Sequence, residues 1–198
     1  MLQRFSMKFI QTILRGIGQV MFQNNYVSGA LFLIGIFYNS WLMGLAALTG
    51  TIISTGAAQV LRFSKEEIED GLYGFNGTLT GIAILCFFEV NSVSISALIL
   101  GSILSTLLMY SIKKFFLPFT APFVVATWLV MFLLLSVFNF QLLPAAEPSE
   151  GVINILTTSI TSFGQVMFQE NVITGLFFLI AIFVNNRLMA IYDIYAAV

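Results

Sequence analysis

The 198 residues include no histidine, one cysteine, four prolines and only 9% charged residues. Without histidine the chain lacks the commonest metal ligand and the usual general base of neutral pH. Cys86 has no partner for an internal disulfide, and within the apolar run GIAILCFF it reads as a small buried hydrophobe. So little charge excludes a soluble domain, in which about a quarter of residues are charged. A net charge of −1 with no basic tract offers nothing for nucleic acid to bind. There is no nucleophile–base pair, no cluster with metal-ligand spacing and no phosphate loop, so neither an enzyme nor a cofactor or metal site is expected.

What is present is apolar: 59% of residues are hydrophobic and the mean hydropathy is +0.97. This is an all-α integral membrane protein set in a lipid bilayer. Stretches approaching the roughly 20 residues of a spanning helix lie near 26–43, 44–61, 71–88, 93–112 and 119–138. A shorter, more polar piece at about 8–23 precedes them. The same order restarts with a short piece at about 154–169 and a span at 172–190. Between them Pro144, Glu147, Pro148 and Glu150 mark a linker. The organisation expected is a first repeat over 1–140, an outer linker over 141–153 and the start of a second repeat over 154–198. The N-terminal stretch lacks a small-residue cleavage site after a long apolar core, so it belongs to the mature fold.

The repeat is explicit. Gly18–Met43 reads GQVMFQNNYVSGALFLIGIFYNSWLM and Gly164–Met189 reads GQVMFQENVITGLFFLIAIFVNNRLM, 146 residues later, with 16 of 26 positions identical. Solenoid units are far shorter; large duplications of this kind typify transport proteins whose site lies between two halves. With the N-terminus cytoplasmic, five spans per unit put Arg4, Lys8, Arg15, Arg62, Lys65, Lys113, Lys114 and Arg187 on one side. The positive-inside rule favours that arrangement. An odd number of spans then turns the second repeat over, giving an inverted-repeat bundle of five transmembrane helices plus a short half-membrane helix per repeat, the second incomplete.

No span carries a charged residue near its centre, so the coupling groups of pumps are missing and a passive path for an uncharged solute is expected. The interior instead sets neutral polar groups beside rings: Gln19 with Phe22, Phe75 with Asn76, then Thr78, Thr80 and Thr120, and in the second copy Gln165 with Phe168. Amides and hydroxyls both donate and accept, which suits a small planar polar molecule. Each signal has a structural alternative. The glutamines can cap a short helix, and with 21 phenylalanines most rings pack or face lipid. Gly74, Gly77 and Gly81 share a helix face and read first as a close-packing stripe. Asn76, flanked by them, needs a partner or a cavity. KEEIED at Lys65–Asp70 reads as a solvated helix start, and Glu89 as the outer end of the third span.

GQVMFQNNYVSGALFLIG at Gly18–Gly35, GLYGFNGTLTGIA at Gly71–Ala83 and LPFTAPFVVATW at Leu117–Trp128, with the second copy near Gly164, resemble the urea transporters of bacteria and vertebrates. The resemblance runs from about residue 16 to 190. It implies a channel-like fold of two inverted halves, assembled as a homo-trimer with a pore in each protomer, and urea as solute. By motif it implies that Gln19 and Gln165 line the path, that Phe22 and Phe168 are its paired rings, that Phe75 and Leu79 form its constriction, and that Thr120 is the central hydroxyl. It also implies a multi-pass protein of a bacterial inner membrane. Second FNGTLTG-type and TAPF-type motifs are absent before Val198, so a C-terminally truncated member is expected, one that carries little urea flux alone. Asp193 stands where a membrane segment should begin. Two other readings remain at this point: a non-transporting remnant or assembly partner of a full-length subunit, and a channel for another small neutral solute.

Overall fold

The computed structural model describes residues 2–144 and 155–197, with side chains from residue 7 onward. The linker expected at 141–153 therefore falls mostly outside the described residues. Every regular element among the described residues is helical. α1 spans Leu2–Gln19, α2 Tyr26–Asn39, α3 Trp41–Val60, α4 Lys65–Glu69, α5 Gly74–Phe87, α6 Ser92–Ile112 and α7 Ala121–Phe132, which continues in a π-helical turn over Leu133–Val137. After the linker come α8 Ile155–Gln165, α9 Val172–Asn185 and α10 Arg187–Ala197. By length and composition α3 and α6 can cross a membrane, while α2, α5, α7 and α9 are shorter apolar helices.

Three boundaries differ from the sequence pattern, one being the span expected over 172–190, which breaks at the extended Asn186 into α9 and α10. The break expected after residue 43 occurs at Ser40, whose extended backbone ends α2 and whose Oγ accepts from Met43 N at 3.3 Å. A side-chain cap of this kind outranks a continuous apolar run. The piece expected over 8–23 is an 18-residue helix that begins at Leu2 and stops at Gln19.

KEEIED is also more than a solvated helix start. It forms the separate short helix α4, after which Gly71 (φ 77°) turns the chain into α5. Glu67 pairs with Lys113 at the end of α6, Tyr73 OH donates to Glu67 at 2.8 Å and Lys113 donates to Tyr73 OH at 2.9 Å. Burial pushes the Glu67 carboxyl up, but hydrogen bonds from Lys113 and Tyr73 outweigh it and hold the group below its ordinary range. Burial likewise lowers the Lys113 ammonium, and the same bonds overcome that and raise it. Both groups thus stay charged and fasten α4, α5 and α6 together at one end of the bundle.

The packing centre is α5 against α3, backbone on backbone. A Cβ on Gly77 would meet Gly50 O, and one on Gly81 would meet Ala46 O, so the glycine face is a packing stripe. Close approach of this kind stabilises helix pairs in a bilayer, where lipid removes most of the hydrophobic drive between helices.

The two repeat copies meet through α2 and α9. Phe32 and Phe178, both fully buried, pack edge to face with centroids 4.8 Å apart. Ser28 Oγ donates to Ala181 O at 2.7 Å, and Thr174 Oγ1 donates to Gly35 O at 2.9 Å. Residues 28 and 174, like 35 and 181, are 146 apart, so each bond in one direction is returned by its counterpart. That exchange of equivalent contacts is the pattern of a self-complementary face.

Candidate functional site

The repeated GQVMFQ forms the same turn in both copies. α1 stops at Gln19, Phe22 N–H donates to Gln19 O at 3.0 Å and Gln23 N–H donates to Gly18 O at 3.0 Å. Phe168 and Gln169 repeat both bonds to Gln165 and Gly164 at the end of α8. This paired 5→2 and 6→1 pattern is a Schellman cap, whose left-handed position usually holds glycine. Here it holds Phe22 (φ 57°) and Phe168 (φ 60°). A left-handed non-glycine residue costs about 1–2 kcal/mol, and such strain gathers where a structure must aim a side chain. Gly18 and Gly164 allow the turn, since a Cβ on either would collide with the carbonyl of Gln23 or Gln169.

The turn separates two residues that a continuous helix would place on one face. Gln19 remains on α1, where its Nε2 donates to Asp70 O at 2.9 Å and ties α1 to the end of α4. Phe22 swings away and is 58% exposed. Its ring packs edge to face on Phe119, centroids 6.0 Å apart. The equivalent Phe168 meets Phe87 at 6.0 Å and Phe123 at 6.3 Å. Gln165 is exposed. The left-handed rings of the two copies therefore contact residues on either side of the start of α7.

Asn76 finds its partners in that same helix start. Fully buried, it accepts from Phe123 N–H at 3.0 Å through Oδ1 and points Nδ2 toward Phe119 O at 3.5 Å. Thr120, between those residues, is half-buried at the N-cap of α7, and its hydroxyl makes no cap bond. Phe75 and Leu79, 5% and 3% exposed, lie in the core with Val20 and Met167, against which Phe123 and Phe168 pack. Phe87, Phe123 and Phe168, with Ala83 and Thr127, line a groove of about 580 Å³. Thr127 Oγ1 is buried there without a hydrogen-bond partner. Phe87 carries no mark in the sequence among the many rings; Phe119 and Phe123 flank Thr120 within LPFTAPFVVATW, but nothing along the chain marks them as partners of Phe22 and Phe168.

The sequence profile of the family described as urea transporter matches residues 10–198. The chain belongs to the urea transporter family. It is 31% identical over 210 residues to urea transporter 1 of Mus musculus, covering 94% of this chain and 53% of that protein. Urea transporter 1 of Rattus norvegicus is 31% identical over 208 residues, with the same coverage. That of Capra hircus is 29% identical over 211 residues, again covering 94% of the chain and 53% of the relative. This urea transporter homologue thus spans about half the length of the curated relatives it matches. Membership makes it a membrane protein of a transporter family rather than an enzyme. The relatives are vertebrate and lend no support to a bacterial inner membrane.

Proposed function

We propose that this chain builds one wall and part of the opposing wall of a passive path for urea, and that its two repeats are inverted across the membrane. The observation that carries the reading is the pair of left-handed phenylalanines, Phe22 and Phe168, turned onto the two flanks of the α7 start. Urea is neutral and flat, with donors at its edges and one carbonyl acceptor. Opposed rings would cover its faces, while the Thr120 hydroxyl, free of any cap bond, would replace a lost water contact. Each bond left unmade in a dry site would cost about 1–3 kcal/mol. Phe75 and Leu79 would shape the narrow part behind the rings, with Gln19 and Gln165 at the ends of α1 and α8. Transport needs no coupling ion on this reading, and three protomers would each carry a path.

The groove between α8 and α10 supports a second wall built like the first. Ser162, Val166, Asp193, Ala196 and Ala197 line this space of about 400 Å³. Their counterparts 146 residues earlier are Gly16, Val20, Ala47, Gly50 and Thr51; Gly16, Gly50 and Thr51 lie against α5, and Val20 and Ala47 belong to the same buried cluster as Phe75 and Leu79 of that helix. An α5-like helix would complete it. Because residue 199 would correspond to residue 53, residues 53–140 fused after Val198 continue the repeat in register. Urea efflux from liposomes measured by stopped flow tests the proposal. The unfused chain is expected to stay near protein-free vesicles, while the folded fusion gives fast efflux that persists when proton and sodium gradients are collapsed. A folded fusion no faster than empty vesicles would overturn it.

The proposed orientation places the Glu67–Lys113 end of the bundle, with Arg62, Lys65 and Lys114, in the cytoplasm. With Cys86 replaced by serine, single cysteines at residues 62 and 114 are expected to resist an impermeant thiol reagent applied to intact cells. A cysteine at residue 91, at the other end of α6, is expected to react. Labelling with the two ends reversed would sink the orientation.

A further inference from the structure

Gln23 and Gln169 occupy equivalent places in the two copies, and both are fully buried. Each makes the same local bond. Gln23 Nε2 donates to Met21 O at 2.7 Å, and Gln169 Nε2 donates to Met167 O at 2.9 Å. Those carbonyls sit in the peptides that lead into Phe22 and Phe168, at helix ends whose carbonyls lack partners within the helix. Pinning that peptide plane fixes the backbone that aims the ring.

The other end of each glutamine is held by the opposite copy. Gln23 Oε1 accepts from Asn185 Nδ2 at 2.7 Å, and Gln169 Oε1 accepts from Asn39 Nδ2 at 2.8 Å. Asn39 and Asn185 are the last residues of α2 and α9, 146 residues apart. On one side the chain of donors extends further, since Asn25 Nδ2 donates to Asn185 Oδ1 at 3.2 Å and sets which way that amide faces. The arrangement has a direction. Each asparagine donates to the glutamine oxygen, leaving the glutamine nitrogen for the backbone carbonyl.

We propose that Asn39 and Asn185 are positioning residues acting in a crossed manner: α2 of the first copy sets the ring of Phe168, and α9 of the second copy sets the ring of Phe22. The inference rests on the reading of those two rings as walls of the solute path, but the crossed coupling does not depend on what passes. Its consequence is that both rings are referred to one α2–α9 face, so a shift at that face changes both together.

Fluorine NMR on the full 198-residue chain in lipid nanodiscs tests it, with 4-fluorophenylalanine placed at residue 22 or residue 168. Asn39→Asp is nearly isosteric and removes the donor, so Gln169 must turn its nitrogen outward and release Met167 O. The expected result is a shift larger than the linewidth at residue 168 with residue 22 unmoved. Asn185→Asp is expected to give the reverse. Asn39 and Asn185 are exposed at helix ends, where the change is mild; should a variant fail to fold, serine at the same position withdraws the donor by its shorter side chain and is expected to give the same crossed pattern with a smaller shift. Movement of the ring in the same copy, equal movement of both, or movement of neither overturns the proposal. A crossed pattern in a fused chain that carries no urea flux would uphold the coupling while removing the transport reading.

Discussion

Gly77→Val is expected to leave no folded protein. A Cβ at residue 77 would fall onto Gly50 O and the Ser54 side chain. Ser54 cannot swing aside cheaply, because its Oγ donates to Ser102 O at 2.8 Å within a buried set that includes Ser105 and Thr106. α3 and α5 would have to separate, and Gly81 against Ala46 O closes the same gap one turn on. Overpacking costs about 1–3 kcal/mol where side chains can yield. It costs more against backbone, and a protein holds only about 5–15 kcal/mol in all. Gly56→Ala, on the facing helix α3, is the control: no atom lies within 4 Å of the added carbon, and helix propensity gains about 1 kcal/mol. In detergent, Gly56→Ala is expected to melt at or above the parent midpoint and Gly77→Val to aggregate. A Gly77→Val protein melting within a few degrees of the parent would mean that the two backbones are not in contact.

Much of the frame was legible because the chain repeats itself. The 146-residue offset relates the ends of α1 and α8, and both ends of α2 and α9, residue for residue. The glycine spacing of α5 announced a packing face before its partner was known. What the sequence could not show was the end of α1. Left-handed caps are signalled by glycine or asparagine, and a phenylalanine in that place carries no such mark, so Gln19 and Phe22 look like neighbours on a helix face. Their separation is decided by tertiary contact: Gln23 holds Met21 O, and Phe119 receives the ring. Asn39 and Asn185 were visible as identities within the repeat. That each serves the other copy is a property of the α2–α9 face and has no signature along the chain. Asn76 was the better case, since a buried amide in lipid must be paired, and the pairing it found locates the start of α7.

Asn76→Leu is expected to free that start and with it the candidate site. Helix N-termini leave backbone donors without partners, and at α7 each is accounted for. Ala121 N–H donates to Pro118 O at 3.0 Å, Pro122 has none to place, Val124 N–H donates to Thr120 O at 3.0 Å, and Phe123 N–H donates to Asn76 Oδ1 at 3.0 Å. Leucine fills about the same volume but leaves the Phe123 N–H without a partner and gives Phe119 O nothing in exchange. An orphaned buried donor costs about 1–3 kcal/mol. That loss raises local opening by roughly 5- to 150-fold, since about 1.4 kcal/mol is a factor of ten. Phe119 carries the contact to Phe22 and Phe123 one of the contacts to Phe168, so one amide holds both flanks of the α7 start. Hydrogen exchange is the direct measurement. The Phe123 amide is expected to exchange at least several-fold faster in Asn76→Leu, with α3 amides near Thr51 unchanged and urea efflux through the repeat-completed fusion reduced. Unaltered exchange at Phe123 would show that α7 is held by its packing on α6 rather than by this amide, and the reduction in efflux would then lose its physical cause.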